Sequence, residues 1–166
     1  MGAGRTELMR VAFGADRSDS GEILVAGEPV RIRNPMDAKR RGIALLTEDR
    51  KQQGLILDFD INANITLANF ASAMGRFGFD LRKENEHNQE LAESVRVKTP
   101  SLKQKARFLS GGNQQKVVLA KWLNTDSEVF IFDEPTRGID VGAKAEIYRI
   151  MNRLKQDGKE IGRAHV

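Results

Sequence analysis

The stretch "EVFIFDEP", residues 128–135, decides how this chain folds. Val129, Phe130, Ile131 and Phe132 form an unbroken apolar run, which predicts a strand covered on both faces, as in a parallel sheet flanked by helices. Asp133 and Glu134 then emerge at the C-terminal edge of that strand. Ligands bind at that edge in open α/β sheets. A carboxylate at the strand end is placed to hold Mg²⁺ through its water shell, and the next can reach a water lined up on a terminal phosphate. Asp133 is therefore the candidate metal ligand and Glu134 the candidate catalytic carboxylate. A helix cap or a surface acidic pair is the plainer alternative, but it does not account for a buried strand running directly into Asp-Glu-Pro-Thr.

Outward from this strand the chain alternates strands and helices. "IALLT" (43–47) is a second continuous apolar run. Ahead of it, "NPMDAKRRG" carries helix punctuation, with Asn34 as N-cap, Pro35 at the first position and Gly42 past the end. "SGEILVAGEPVRIRN" predicts two short strands around Ala26-Gly27, and "TELMRVAFG" a short helix ending near Gly14. Beyond the quoted strand, "DVGAKAEIYRIMNRLKQDG" predicts a helix whose core face is Ile147, Ile150, Met151 and Leu154. Residues 60–98 are helical and polar. Asp60 caps "INANITLANF", "LRKENEHNQELAESVRV" is a second helix, and 71–80 is the loop between them. The expected class is α/β with a mainly parallel sheet, interrupted by a helical block. Its expected parts are 1–59, a helical subdomain 60–122, a core segment 123–161 and a tail 162–166.

The 166 residues are 40% hydrophobic and 30% charged, a globular composition. No apolar run approaches the roughly 20 residues of a membrane span. There is no cysteine, which excludes disulfides and thiolate metal sites. The net charge of +4 comes from 27 basic residues interspersed with 23 acidic ones, a solvated surface rather than a nucleic-acid patch. Both ends read as truncated. No strand precedes the opening glycines, and Gly162–Val166 lacks periodicity and resembles a translated sequencing adapter.

Two stretches have the look of anion sites. "FLSGGNQQKVVLAKWL" (108–123) places Ser110, Gly111 and Gly112 at the mouth of a helix with an apolar stripe of Val118, Leu119, Trp122 and Leu123. Exposed backbone N–H groups at that positive end can hold an anion. Lys116, one turn in, is expected to be a surface charge, and His87 a solvated residue in mid-helix. "GAGRTE" (2–7) matches only the end of the phosphate-loop pattern: Gly2, Gly4 and Thr6 fit, but Arg5 stands where lysine belongs. Arginine is a planar fork rather than a compact ammonium, so the exchange is not conservative at a crowded phosphate. Taken alone, this loop is explained equally well as a turn.

Together these motifs resemble the nucleotide-binding domain of ABC transporters. LSGGNQQK (109–116) is similar to their signature motif, VFIFDEP to their Walker B strand, and Gly138-Ile139-Asp140 to their D-loop. More narrowly, "GAGRTEL", "TEDRKQQGL" (47–55) and "LSGGNQQKVVLAKWL" resemble the second half of the fused ATPase subunits of bacterial monosaccharide importers, over residues 1 to about 161.

The resemblance implies a P-loop NTPase core with ATP and Mg²⁺ as cofactors. It implies a nucleotide-binding loop Gly2, Ala3, Gly4, Arg5, Thr6 and Glu7, with Thr6 and Asp133 at the metal and Glu134 as catalytic base. Leu109, Ser110, Gly111, Gly112, Asn113 and Gln114 would act in trans, closing over ATP held by an opposing domain. Glu48, Asp49 and Arg50 fall in the Q-loop region, with Glu48 where glutamine is usual. The switch histidine of the family is missing. Implied partners are the opposing ABC domain, membrane permease subunits and, indirectly, a periplasmic sugar-binding protein, but no nucleic acid. The implied location is peripheral, on the cytoplasmic face of the membrane. Arg5 leaves open a second reading, a degenerate domain that only completes its partner's site, and a soluble non-transport ABC ATPase is a third.

Overall fold

The computed structural model describes residues 4–164. Helix α1 (Arg5–Ala12) opens the described chain, followed by the strands β1 (Ile23–Val25) and β2 (Glu28–Val30). These two pair antiparallel about Ala26-Gly27, as expected. Helix α2 (Pro35–Arg40) starts where the sequence places it: the Asn34 side chain accepts a hydrogen bond from the Asp37 N–H at 3.0 Å. Strand β3 (Ile43–Leu46) is buried at every position and leads into a π-helical turn, Arg50–Gly54. Helix α3 (Ile61–Thr66) is capped by Asp60, and α4 spans Leu81–Ser94. The stretch between them, expected to be a loop, holds a 3₁₀ turn and a minimal hairpin pairing Met74–Gly75 with Gly78–Phe79, here β4 and β5. Helix α5 (Gly111–Leu123), strand β6 (Val129–Asp133), helix α6 (Val141–Gln156) and strand β7 (Glu160–Ala164) complete the order.

The main sheet runs β3-β6-β7 and both pairings are parallel. Its strands divide their side chains by the two-residue period of a pleated sheet. Ala44, Leu46, Phe130 and Phe132 join a large apolar cluster with α3, α4, α5 and α6. Ile43 and Leu45 face the other way, against Phe13 and Ala38, with Val129 and Ile131 packed alongside. Coverage of both faces is what the continuous apolar runs require. Burying a side chain such as Phe130 or Phe132 contributes roughly 2–3 kcal/mol each. Ile147, Ile150, Met151 and Leu154 form the buried face of α6, as the periodicity predicts. Strand β7 continues past Ile161, pairing Gly162, Arg163 and Ala164 with Ile131, Phe132 and Asp133, where no structure was expected. His165 and Val166 of the predicted tail lie outside the described residues.

Helix α5 departs most from its sequence. An apolar stripe was expected, but Gln114 through Lys121 is buried on all sides, between the sheet, α3, α4 and α6. Its polar residues therefore sit inside. Lys116 is 2% exposed rather than a surface charge. It donates to the Arg96 carbonyl at 2.8 Å and forms an ion pair with Glu146 of α6, because an unpaired ammonium cannot be buried cheaply. Lys121 is also buried and donates to the Gly54 carbonyl at 2.5 Å, which ties the π-helical turn to α5. His87 is half-buried and lies 2.9 Å from the Asn124 carboxamide oxygen, at the C-cap of α5, so it is not the solvated residue expected.

Candidate nucleotide site and inter-domain face

Two groups of residues converge at the C-terminal edge of the sheet. In the first, Asp133 ends β6, is 3% exposed, and accepts a hydrogen bond from the Thr6 hydroxyl at 3.1 Å. These two residues, 127 positions apart in the chain, are brought together at the sheet edge. Burial pushes the Asp133 carboxyl above its ordinary pKa, the Thr6 hydrogen bond pulls it down, and the neighbouring Glu134 charge pushes it up again. Such a carboxylate gains from a nearby cation. One carboxylate and one hydroxyl suit Mg²⁺, which keeps several waters and takes phosphate oxygens for the rest of its shell. The described residues hold no cluster of three or more His, Cys, Asp or Glu side chains, and at this sheet edge Asp133 and Thr6 are the residues that could hold such an ion. Thr47, at the end of β3 on the same sheet edge, has a buried hydroxyl without a hydrogen-bond partner.

The phosphate-loop expectation falls partly outside the described residues, which exclude Gly2 and Ala3. Gly4 is the N-cap of α1 with φ +66, a left-handed conformation that glycine adopts without strain. Arg5 and Glu7 lie exposed in the first turn of α1. Glu134 follows Asp133 with φ +45, a left-handed backbone that a side chain other than glycine adopts at a cost of about 1–3 kcal/mol. Strain of this kind at a strand end re-aims the side chain away from the path a regular strand would give it.

The second group joins the three loops that flank α5 and α6. Ser110 caps α5, with its hydroxyl accepting from the Asn113 N–H at 3.4 Å and from the Asn113 side chain at 3.2 Å. Ser110 is exposed and Gly111 and Asn113 are half-exposed, so these can face a ligand or partner. Leu109, Gly112 and Gln114 are buried and serve the packing of α5 instead. A Cβ on Gly112 would lie 2.4 Å from that of Ala143 on α6, so this glycine is required where the two helices cross. Gln114 donates to the Ala106 carbonyl at 3.1 Å. Asp140 is the N-cap of α6 and accepts from the Ala143 N–H at 2.8 Å. Gly138 holds φ +65, and Ile139 packs against the main core.

Glu48 forms an ion pair with Arg137, so its charge is directed at the loop between β6 and α6. Asp49 accepts from the Lys51 and Gln52 backbone amides at 3.0 and 3.1 Å and caps the π-helical turn. Arg50, 9% exposed, donates to the Arg137 carbonyl at 2.9 Å, the Gly138 carbonyl at 3.3 Å and the Gln114 side chain at 3.4 Å. The sequence signals the segment 47–55 but not this fan of bonds, since its acceptors are two backbone carbonyls and a buried amide far along the chain.

The family model described as "ABC transporter" matches residues 1–137. The chain belongs to the ABC transporter family.

Among the relatives of this ABC cassette, a putative ribose/galactose/methyl galactoside import ATP-binding protein of Albidiferax ferrireducens is 54% identical over 163 residues. That match covers 97% of this chain and 32% of the relative. The ribose import ATP-binding protein RbsA of Bacillus subtilis is 50% identical over 161 residues, covering 97% of this chain and 33% of that one. The cassette thus spans about a third of the length of the curated relatives it matches. Its α/β fold with a parallel sheet is that of the ABC ATPase cassettes. A dimeric cassette solved in a post-hydrolysis state with ADP and Pi matches it with a TM-score of 0.77 at 19% identity, over 96% of this chain and 68% of that one. A nucleotide-free cassette matches with a TM-score of 0.79 at 18% identity, over 97% and 65% respectively.

Proposed function

We propose that this chain is one ATP-binding half of a bacterial sugar-importer subunit, coupling ATP binding and hydrolysis to carbohydrate uptake. The observation that carries the reading is the identity of 50–54% to import ATP-binding proteins over nearly the whole chain. The Thr6–Asp133 pair at the sheet edge supports a site for a Mg²⁺–nucleotide, where the ion would supply a Lewis acid to the phosphates. Arg5 in place of lysine argues that this half's own site is the weaker one. In this reading Ser110 and Gly111 complete the site of an opposing cassette in trans, presenting backbone donors at the N-terminus of α5.

Permease subunits are the proposed membrane partner, with a periplasmic sugar-binding protein acting through them. Exposed Phe70, Phe77, Phe79 and Leu81 on the helical block offer an apolar surface for such a contact. A peripheral position at the cytoplasmic membrane face follows, and no described helix is long and apolar enough to span a bilayer.

The test uses a full-length subunit carrying this sequence, assembled with its permease. Gly111→Asp drives a side chain into the Arg50 guanidinium and the Gly138 carbonyl and so displaces the start of α5, and should cut ATP turnover and sugar uptake by on the order of 10²–10³, the cost of losing an aimed backbone donor. Nucleotide binding should persist. Glu134→Gln, in the half weakened by Arg5, should have a much smaller effect. Loss of transport in Glu134→Gln with Gly111→Asp active would reverse the assignment of which half does the chemistry.

A further inference from the structure

Arg50 is a buried cation whose acceptors are all neutral. Among the described residues it makes no ion pair, and burial holds its pKa below the ordinary arginine value. The nearby Asp49 carboxylate is occupied in capping the π-helical turn. Desolvating a guanidinium without a carboxylate partner is unfavourable, so the fold places it here in return for something other than charge neutralisation.

What it does geometrically is join three segments. Its Nη1 and Nη2 hold the carbonyls of Arg137 and Gly138, 87 and 88 residues away, and its Nε holds Gln114 on the first turns of α5, 64 residues away. A Cβ built on Gly111 would lie 2.6 Å from Nη2, so the guanidinium sits directly against the start of α5. The ion pair between Glu48 and Arg137 adds a second tie between the same segment and the same loop. At the far end of the π-helical turn, Lys121 grips the Gly54 carbonyl, so this segment is anchored to α5 at both ends.

We propose that Arg50 is a positioning residue: it fixes the Arg137–Gly138 loop and the Ser110–Gln114 helix start at one spacing, so both move with the 48–50 segment as a unit. The functional consequence rests on the importer reading above, in which Ser110 and Gly111 at the start of α5 face an opposing cassette. The brace itself can be tested without activity.

The planar fork is essential to the argument, because a lysine ammonium is a single point and cannot serve two adjacent carbonyls and Gln114 in their fixed directions. In a full-length subunit, Arg50→Lys and Arg50→Gln should each speed amide hydrogen exchange in 110–114 and 137–142 together, by about tenfold, the factor carried by one charge-assisted hydrogen bond. Exchange in β6 should stay at the wild-type rate. Nucleotide affinity should be unchanged and ATP turnover lowered in both variants, with no rescue by lysine. Faster exchange in only one segment, in neither, or spread through β6 overturns the brace, as does wild-type turnover in Arg50→Lys. If Arg50→Gln fails to fold, the lysine variant decides alone. A wild-type subunit without ATPase or uptake would sink the importer reading, while the exchange data would still decide the brace.

Discussion

The crossing of α5 and α6 can be tested by moving one methyl group across it. In Gly112→Ala the new Cβ would sit 2.4 Å from the Cβ of Ala143, against the 3.5–4.0 Å or so of ordinary carbon contact. Neither atom is the end of a flexible side chain, so the helices themselves must part by more than about 1 Å. Overpacking of this kind costs about 1–3 kcal/mol, which in a domain of this size lowers the melting temperature by roughly 5 °C. Ala143→Gly removes the obstructing methyl, and alone costs roughly 0.5–1 kcal/mol for a glycine in a helix. The double variant Gly112→Ala/Ala143→Gly should therefore melt above Gly112→Ala, with a favourable coupling of more than about 1 kcal/mol in the cycle. Thermal denaturation of the four proteins followed by circular dichroism measures this directly. ATPase assays on the same set add a second answer: recovery in the double variant means Gly112 serves helix packing alone. A Gly112→Ala protein as stable as wild type, or additive single effects, would refute the reasoning.

Two further predictions concern the lysines inside α5. Burial lowers the Lys121 pKa to about 8. The unfolded chain then holds a proton that the folded chain lacks between pH 8 and the ordinary lysine pKa near 10, so stability rises with pH across that window, by at most about 3 kcal/mol. Urea denaturation at pH 8 and pH 10 should show this gain in wild type and its loss in Lys121→Met, and equal slopes would disprove it. Glu146→Gln strips the buried Lys116 of its counter-ion and should cost about 3 kcal/mol at neutral pH. Because pairing with Lys116 holds the Glu146 carboxyl below its ordinary pKa, that contribution is present above about pH 5 and fades on acidification through the lowered value, so the two proteins should converge in acid denaturation curves.

The strands and most helix ends were legible because local chemistry dictates them. Four apolar residues in a row at 129–132 need cover on both faces, and the Asn34-Pro35…Gly42 pattern works through its own backbone. Helix α5 was legible as a helix but not as a central one. Its Gln114, Lys116 and Lys121 look like a solvated face until Ala106, Glu146, Arg96 and Gly54 arrive from elsewhere in the chain. The same limit hid Arg50, whose three acceptors lie 64 or more residues away. The meeting of Thr6 with Asp133 could be anticipated, since the family resemblance implies that both sit at one metal. The strand character of Gly162–Ala164 could not, since backbone pairing with β6 places no demand on side-chain periodicity.

The left-handed backbone at Glu134 has a consequence for anyone evolving this chain for robustness. Asparagine or glycine relaxes such a residue, so a screen scored on heat resistance alone would keep returning these two at position 134. Each such winner would be a hardier scaffold that has discarded its candidate catalytic carboxylate. Because this half is proposed to be the weaker one, a screen for turnover would penalise that loss only mildly, so position 134 should drift under selection for durability unless a library holds it fixed.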